Sequence, residues 1–192
     1  AMTIEGRART LVSAYAPAKA TPGDPNSTRS AFFTLRLKRF LNTNTVIGMD
    51  ANCVPDPLID LSRDATSTYD NEGARELADI MAEKGLEDVT RTTLGNTAEL
   101  FTAHHIVAGG RQCYSRIDQI YAPVDDHTHW DYADCTDFFP KSKDSVEIDH
   151  HALEIRSKKL KPERGTDIET VSEDIFNEDN FVVELHRIMK NM

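Results

Sequence analysis

Cysteine, basic residues and long apolar runs are all scarce in this 192-residue sequence. The three cysteines, Cys53, Cys113 and Cys135, have neither CxxC nor Cys/His finger spacing, which indicates a reduced, intracellular protein. No apolar run approaches the length that crosses a membrane and no signal peptide is recognisable, so we expect no membrane partner.

The shortage of basic residues limits how the chain could meet nucleic acid. The 32 acidic residues outnumber the 22 basic ones, and the formal net charge is -10. That is the wrong sign for non-specific binding to phosphates, which depends on clustered Lys and Arg. An enzyme that brings a cation to a phosphate is not excluded, because a bound cation inverts the local field.

Alternating strand and helix patterns predict one α/β domain. The expected strands are 10–15, 45–49, 100–106, 115–121 and 147–155, with a short one between 130 and 139; the expected helices are 29–41 and 74–84. Gly109-Gly110 predicts a hairpin turn. The expected organisation is a cloning scar and frayed start at 1–8, a domain at 9–156, a linker at 157–176 and an amphipathic helix at 177–192.

The strand at 45–49 ends in two polar residues, Asp50 and Asn52. In open α/β sheets, ligands and chemistry usually lie at the carboxyl ends of strands. An Asx turn is the simpler interpretation of the same pair. The polar stretch 53–72 is interpreted as a loop in which Asp60 serves solubility, because the Gly and terminal Glu of a calcium loop are absent.

Further polar residues stand on other predicted strands: Tyr15 at the end of the first, Asp118 within the strand 115–121, and the pair Asp149-His150 at the start of the last. Carboxylates, an amide and an Asp-His pair are suitable groups for metal-assisted phosphodiester hydrolysis. That reaction needs a base or orienter for water, donors to the phosphate oxygens, and a cation for the developing charge. The order of these residues along the chain is more specific than any one of them.

The ordered set resembles the endonuclease/exonuclease/phosphatase family, which includes apurinic endonucleases. The matching pieces are Tyr15-Ala16-Pro17, Gly48-Met49-Asp50-Ala51-Asn52, Ile59-Asp60-Leu61, Phe101-Thr102, Ser115-Arg116-Ile117-Asp118 and Ile148-Asp149-His150. Within the family the chain looks most like the endonuclease module of LINE-type non-LTR retrotransposons, on the Ser-Arg-Ile-Asp strand and on Arg164-Gly165 before the last helix. The fold this implies is the C-terminal half of a four-layer sandwich, a mixed sheet with helices on one face.

The resemblance also implies roles for single residues. Asp50 would position or activate the attacking water, and Asn52 would contact the phosphate. Asp118 would pair with His150 within about 2.6–3.2 Å, and His150 would stabilise the transition state.

Two further residues complete the implied set. Asp149 would lie at the metal, Mg²⁺ or Mn²⁺, and Tyr15 beside the scissile phosphate. A DNA substrate would also imply a nuclear location.

The sequence departs from the family pattern at several points. No residue occupies the place of the Glu that is the principal metal ligand, and Ala18 and Ile148 replace the usual residues. A sheet without its other half would expose an apolar face, so we expect a protein partner, self-association or the C-terminal helix 177–190 to cover it. Three interpretations stay open: a DNA endonuclease completed by a partner, an inactive binding or regulatory module, and a phosphatase for a small phosphorylated substrate.

Overall fold

The computed structural model describes residues 2–4, 7–62, 69–95, 97–107, 111–136 and 150–157, all of them within the unit Ala1–Lys158. Several sequence-based expectations fall elsewhere. The turn at Gly109-Gly110, the expected metal ligand Asp149, the linker beyond residue 157 and the helix at 177–192 lie outside the described residues.

The described part of the chain contains nine strands and three α-helices. The strands are β1 Met2–Ile4, β2 Arg7–Tyr15, β3 Thr45–Asp50, β4 Leu86–Asp88, β5 Ala103–Val107, β6 Arg111–Ser115, β7 Asp118–Pro123, β8 Trp130–Thr136 and β9 Ala152–Ser157. The α-helices are α1 Arg29–Ala31, α2 Ala74–Glu83 and α3 Val89–Leu94. Helix α1 continues as a π-helical stretch Phe32–Arg36 and a 3-10 turn Leu37–Phe40, and further 3-10 turns are Pro25–Ser27 and Val124–His129.

Five strands form the main sheet, in the order β1-β2-β3-β7-β4. Strands β2 and β3 are parallel and the other pairs are antiparallel, so the sheet is mixed, as expected. The register places Asp50 between Tyr15 on β2 and Asp118 on β7. Because register partners point to the same face, these three side chains emerge on one side of the sheet.

The predicted helices pack on one face of this sheet. Ile47 and Met49 of β3 meet Phe33, Leu77 and Met81 of the helices in the larger core. The buried stripe of α2 is Leu77, Ile80 and Met81, whereas the sequence pattern indicated Ala78, which is exposed, and not Ile80. The expectation that the two predicted helices lie on one face of the sheet is therefore confirmed.

The opposite face is covered in part by α3, which the sequence pattern did not predict, and by β8, which lies in the short strand expected between 130 and 139. Val46 packs with Val89 of α3 and Trp130 of β8 in a second core. Towards β2, on the same face, Leu11 is 58% and Tyr15 is 67% exposed. Among the described residues, the exposed apolar part of this face is therefore on the β2 side.

Helix α3 was missed because its sequence, Val-Thr-Arg-Thr-Thr-Leu, is rich in β-branched residues of low helix propensity. The Asp88 carboxylate accepts from the backbone N–H groups of Thr90 and Arg91, at 3.0 and 3.4 Å. This cap satisfies two of the N–H groups that a helix start leaves without partners. Local capping and the contacts of Val89 therefore override propensity.

Three predicted boundaries are wrong. The start is not frayed throughout, because β1 pairs with β2, and β2 begins at Arg7 instead of Thr10. Arg9, which is buried, donates to Asp126 at 2.7 Å. The strand expected at 115–121 is interrupted at 116–117, and the last strand, expected at 147–155, is Ala152–Ser157 within the described residues.

Candidate functional site

The predicted contact between Asp118 and His150 is confirmed. His150 Nδ1 lies 2.9 Å from Asp118 Oδ2, and the two side chains are 36% and 22% exposed. Asp118 is the first residue of β7, and His150 forms an isolated bridge with Ala103. A carboxylate on Nδ1 fixes the orientation of the imidazole and directs Nε2 away from the pair.

Asp50 and Asn52 form a tight turn beside this pair. Asp50 Oδ1 accepts the backbone N–H of Asn52 at 2.9 Å, which is the Asx turn that the sequence allowed. Asn52 has a left-handed backbone, with φ of 49°, and its Nδ2 donates to the Ala16 carbonyl at 2.8 Å. The Asx turn is therefore present, and it is compatible with a functional site, because the turn positions the side chains of both Asp50 and Asn52.

The turn is anchored on both sides by the neighbouring strands. Ala16 N–H donates to the Asp50 carbonyl, and Ala51 N–H donates to the Ile117 carbonyl, both at 2.8 Å. Ile117 directly precedes Asp118. The backbones that carry Asp50 and Asp118 are therefore tied together next to the side chains themselves.

Among the residues that the structure describes, Asp50, Asp118 and His150 could together hold a metal ion. One ligand atom from each residue can be chosen so that all three lie within 4.8 Å of one another. Ligands on opposite sides of an ion with bonds of about 2.0–2.6 Å lie about 4–5 Å apart, so the spacing suits one divalent cation. Two carboxylates with one imidazole suit Mn²⁺ well, whereas Mg²⁺ takes mainly oxygen ligands.

Tyr15 stands at the open side of the site. It is the register partner of Asp50, and its side chain is 67% exposed. A phenol at this place is accessible to a ligand that approaches Asp50. The remaining predicted residue, Asp149, lies outside the described part of the chain.

Thr102 is a site residue to which the sequence assigned no role. It is fully buried, and its Oγ1 accepts the backbone N–H of Asp118 at 3.0 Å. Its carbonyl accepts the N–H of His151 at 2.7 Å, and its N–H donates to the Ser115 carbonyl at 2.9 Å. Thr102 therefore holds both halves of the Asp118–His150 pair through the backbone.

The assignment of Asp60 to loop solubility is wrong. Asp60 is fully buried and accepts from Arg116 Nε at 2.7 Å and from Arg91. Arg116, also fully buried, lies 2.8 Å from Asp88 as well. Burial alone would lower the pKa of Arg116, but the hydrogen bond to Asp60 and the charge of Asp88 raise it. The cluster fixes the chain two residues before Asp118.

Cys53, next to Asn52, is unsuited to nucleophilic chemistry. It is fully buried, and burial raises the pKa of its thiol to about 12. The thiolate, which is the reactive form, is therefore scarce at neutral pH. The residues that remain accessible are oxygen and imidazole groups, which suit hydrolysis.

No family model and no curated protein matches the chain, but solved structures do. The endonuclease domain of TRAS1, a telomere-specific non-LTR retrotransposon, is 20% identical over 83% of this chain and 61% of its own, with a TM-score of 0.51. An AP endonuclease from Archaeoglobus fulgidus is 22% identical over 78% and 61%, with a TM-score of 0.55. The 3' phosphatase NExo from Neisseria, bound to product DNA hairpin, is 13% identical over 77% and 60%, with a TM-score of 0.55.

These likenesses identify the fold. The described chain has the endonuclease/exonuclease/phosphatase fold, as its motifs indicated. It spans about 60% of the length of the structures that it matches. The fold and the partial coverage both agree with the expected half of the sandwich.

Proposed function

We propose that this chain is the second half of a divalent-metal-dependent phosphodiesterase of the DNA endonuclease type. The observation that supports this is the convergence of Asp50, Asp118 and His150 at one sheet edge of a nuclease fold. The neighbours that share the fold include an endonuclease domain, an AP endonuclease and a 3'-5' exonuclease.

In this proposal each residue acts through the group that the geometry makes available. Asp118 holds the His150 imidazole so that Nε2 faces the substrate and donates to a phosphate oxygen. Asp50 orients the attacking water and accepts its proton. Asn52 uses one N–H for Ala16, and the second N–H contacts the phosphate, while Tyr15 lies along the substrate strand.

A bound Mg²⁺ or Mn²⁺ would supply stabilisation of the charge that develops on the phosphate. Asp50 and Asp118 would hold it, and Asp149 is proposed as a further ligand. The Glu of the family pattern would come from another polypeptide, which also covers the β2 side of the sheet. The likeness to the TRAS1 domain supports a retrotransposon-derived origin.

A phosphatase is the second candidate function. One structural neighbour is described as a 3' phosphatase bound to product DNA hairpin. A phosphomonoester presents fewer anionic groups to the surface than a DNA duplex does, and the chain has a net charge of -10. The same residues would act on the terminal phosphate.

A hydrolysis assay with metal binding in parallel tests these proposals. The full chain is incubated with supercoiled plasmid and with an oligonucleotide carrying a 3' phosphate, in Mg²⁺, Mn²⁺ or EDTA, and Mn²⁺ binding is followed by electron paramagnetic resonance. We expect little hydrolysis by the chain alone, and metal-dependent hydrolysis once the first half of an AP endonuclease of the same fold is added as a separate polypeptide. That activity should fall at least a hundredfold in Asp118→Asn and in His150→Ala. Asp131→Asn, an exposed carboxylate on β8, is the charge-matched control and should retain activity.

The outcomes separate the alternatives. Plasmid nicking supports the endonuclease, and release of phosphate alone supports the phosphatase. Mn²⁺ binding without hydrolysis of either substrate, even with the added first half, supports the inactive binding module. Absence of Mn²⁺ binding by the wild-type chain would contradict the metal site itself.

A further inference from the structure

The hairpin beside the candidate site has two chemically different faces. In strands β5 and β6 the register pairs His104 with Tyr114 and Ala103 with Ser115. Ala103, Cys113 and Ser115 are buried. Because successive side chains of a strand alternate between faces, His104 and Tyr114 project from the outer face.

Four aromatic rings form a continuous cluster on and next to this outer face. The ring centroid of Tyr114 lies 5.9 Å from that of Phe101 and 6.4 Å from that of His104. The His104 ring lies 5.8 Å from that of His151. Tyr114 is 37% exposed, and the other three side chains are partly exposed.

Two residues join this aromatic cluster to the candidate site. The cluster consists of Phe101, His104, Tyr114 and His151. Phe101 directly precedes Thr102, whose hydroxyl holds the Asp118 N–H. His151 directly follows His150, and its own N–H donates to the Thr102 carbonyl at 2.7 Å. The cluster therefore begins one residue from the Asp118–His150 pair and runs outward along the hairpin.

We propose that the aromatic cluster is a stacking surface for an unpaired base of a nucleic-acid substrate, next to the phosphate at Asp118–His150. Aromatic side chains bind unstacked bases through their ring faces, with little regard to sequence. Stacking itself does not depend on charge, so it can contribute to binding by a chain with a net charge of -10. The inference rests on the proposed function for the identity of the ligand, and its test does not require hydrolysis.

The test is direct binding of a fluorescein-labelled single-stranded dT12 oligonucleotide, followed by anisotropy in EDTA at low salt. Tyr114→Leu keeps an apolar side chain of similar reach but removes the ring, and Tyr114→Phe keeps the ring. We expect the leucine variant to bind roughly tenfold more weakly and the phenylalanine variant to bind like wild type. Phe40→Leu is the control, because Phe40 is an aromatic residue 58% exposed on the helical segment.

A second variant guards against a purely structural effect on the hairpin. His151→Leu removes a ring of the cluster from outside β5 and β6, and it should also weaken dT12 binding at an unchanged melting temperature. Equal affinities of wild type, Tyr114→Leu and His151→Leu would overturn the proposal, as would equal losses in Tyr114→Leu and Tyr114→Phe. If the wild-type chain hydrolysed no substrate, even with the added first half, but still bound dT12 in a way that depended on the aromatic rings, the result would count against the proposed function and not against the stacking surface.

Discussion

Replacing Arg116 by methionine removes the cation at the centre of a fully buried ion cluster. Arg116 and Asp60 are both 0% exposed, and Arg116 also lies against Asp88, whose side chain is 12% exposed. Methionine keeps most of the apolar stem but leaves the carboxylates without the charge that compensates their burial. The change therefore tests whether the cluster holds the chain before Asp118.

The expected loss follows from which carboxylates keep a partner. Removing one partner of a buried ion pair costs about 3–5 kcal/mol. Asp60 keeps Arg91, and Asp88 still accepts the N–H groups that cap α3, so we expect the lower end of that range, about 3 kcal/mol. This is a large share of the roughly 5–15 kcal/mol that stabilises a typical domain.

Urea unfolding followed by circular dichroism measures this loss. With a slope of about 2 kcal/mol per molar urea, the midpoint of Arg116→Met should fall by about 1.5 M. Arg75→Met is the control, because the Arg75 side chain is 92% exposed and its contact to Asp79 is 3.9 Å, so it should change stability by less than about 0.5 kcal/mol. In the double variant Arg116→Met/Asp60→Asn the loss should be smaller than the sum of the single losses. A loss for Arg116→Met below about 1 kcal/mol would refute the role of the cluster.

Three further predictions concern single residues. Burial raises the pKa of the Glu87 carboxyl, so ionisation of this group opposes folding, and its contribution to stability falls as pH rises above the ordinary carboxyl range. Glu87→Gln should therefore raise the midpoint of urea unfolding at pH 7 but not near pH 3. Glu83 is the control, because its pKa is shifted in the opposite direction: the hydrogen bond from Lys38 lowers it. Glu83→Gln should therefore not stabilise the chain, and a higher unfolding midpoint in this variant would contradict the explanation. Because burial raises the pKa of Cys53 to about 12 from 9.0, its thiolate fraction at pH 8 is about a thousandfold lower, and mass spectrometry after thiol labelling of the folded chain should find Cys53 unmodified. Asn52→Ala should destabilise the chain by about 1 kcal/mol more than Asn52→Gly in urea unfolding, since φ at this position is 49°; equal losses would show that the left-handed backbone carries no cost.

The strands that carry the site were predictable because their polar residues interrupt strong apolar patterns. Asp50 ends a run of Val, Ile and Met, and Asp118 interrupts an apolar alternation. Single-residue placement at these ends followed from the resemblance, which supplied the order of the motifs. The resemblance also predicted the hydrogen bond between Asp118 and His150, which lie 32 positions apart in the chain, and the structure confirms it.

The parts that were missed depend on contacts between distant segments. Asp60 lies in a polar, proline-containing stretch, where composition indicates a solvated loop. Its burial becomes visible only when Arg116 is known to lie against it. Likewise, the helix at Val89–Leu94 is favoured by its Asp88 cap and its core contacts, which propensity does not show. Tertiary partners decide these cases, and a pattern along the chain contains no record of them.

The exposed apolar surface on β2 lies next to the candidate site. Leu11 and Tyr15 project from the same face of β2, and Tyr15 is the register partner of Asp50. In the proposed function, a polypeptide that covers Leu11 therefore also lies beside Tyr15 and Asp50, where a further metal ligand would be needed. Covering the sheet and completing the site are then one binding event. A partner that bound elsewhere, for example over Trp130 on the β8 side, would leave the site as it is, and this distinguishes the proposal from a merely structural association.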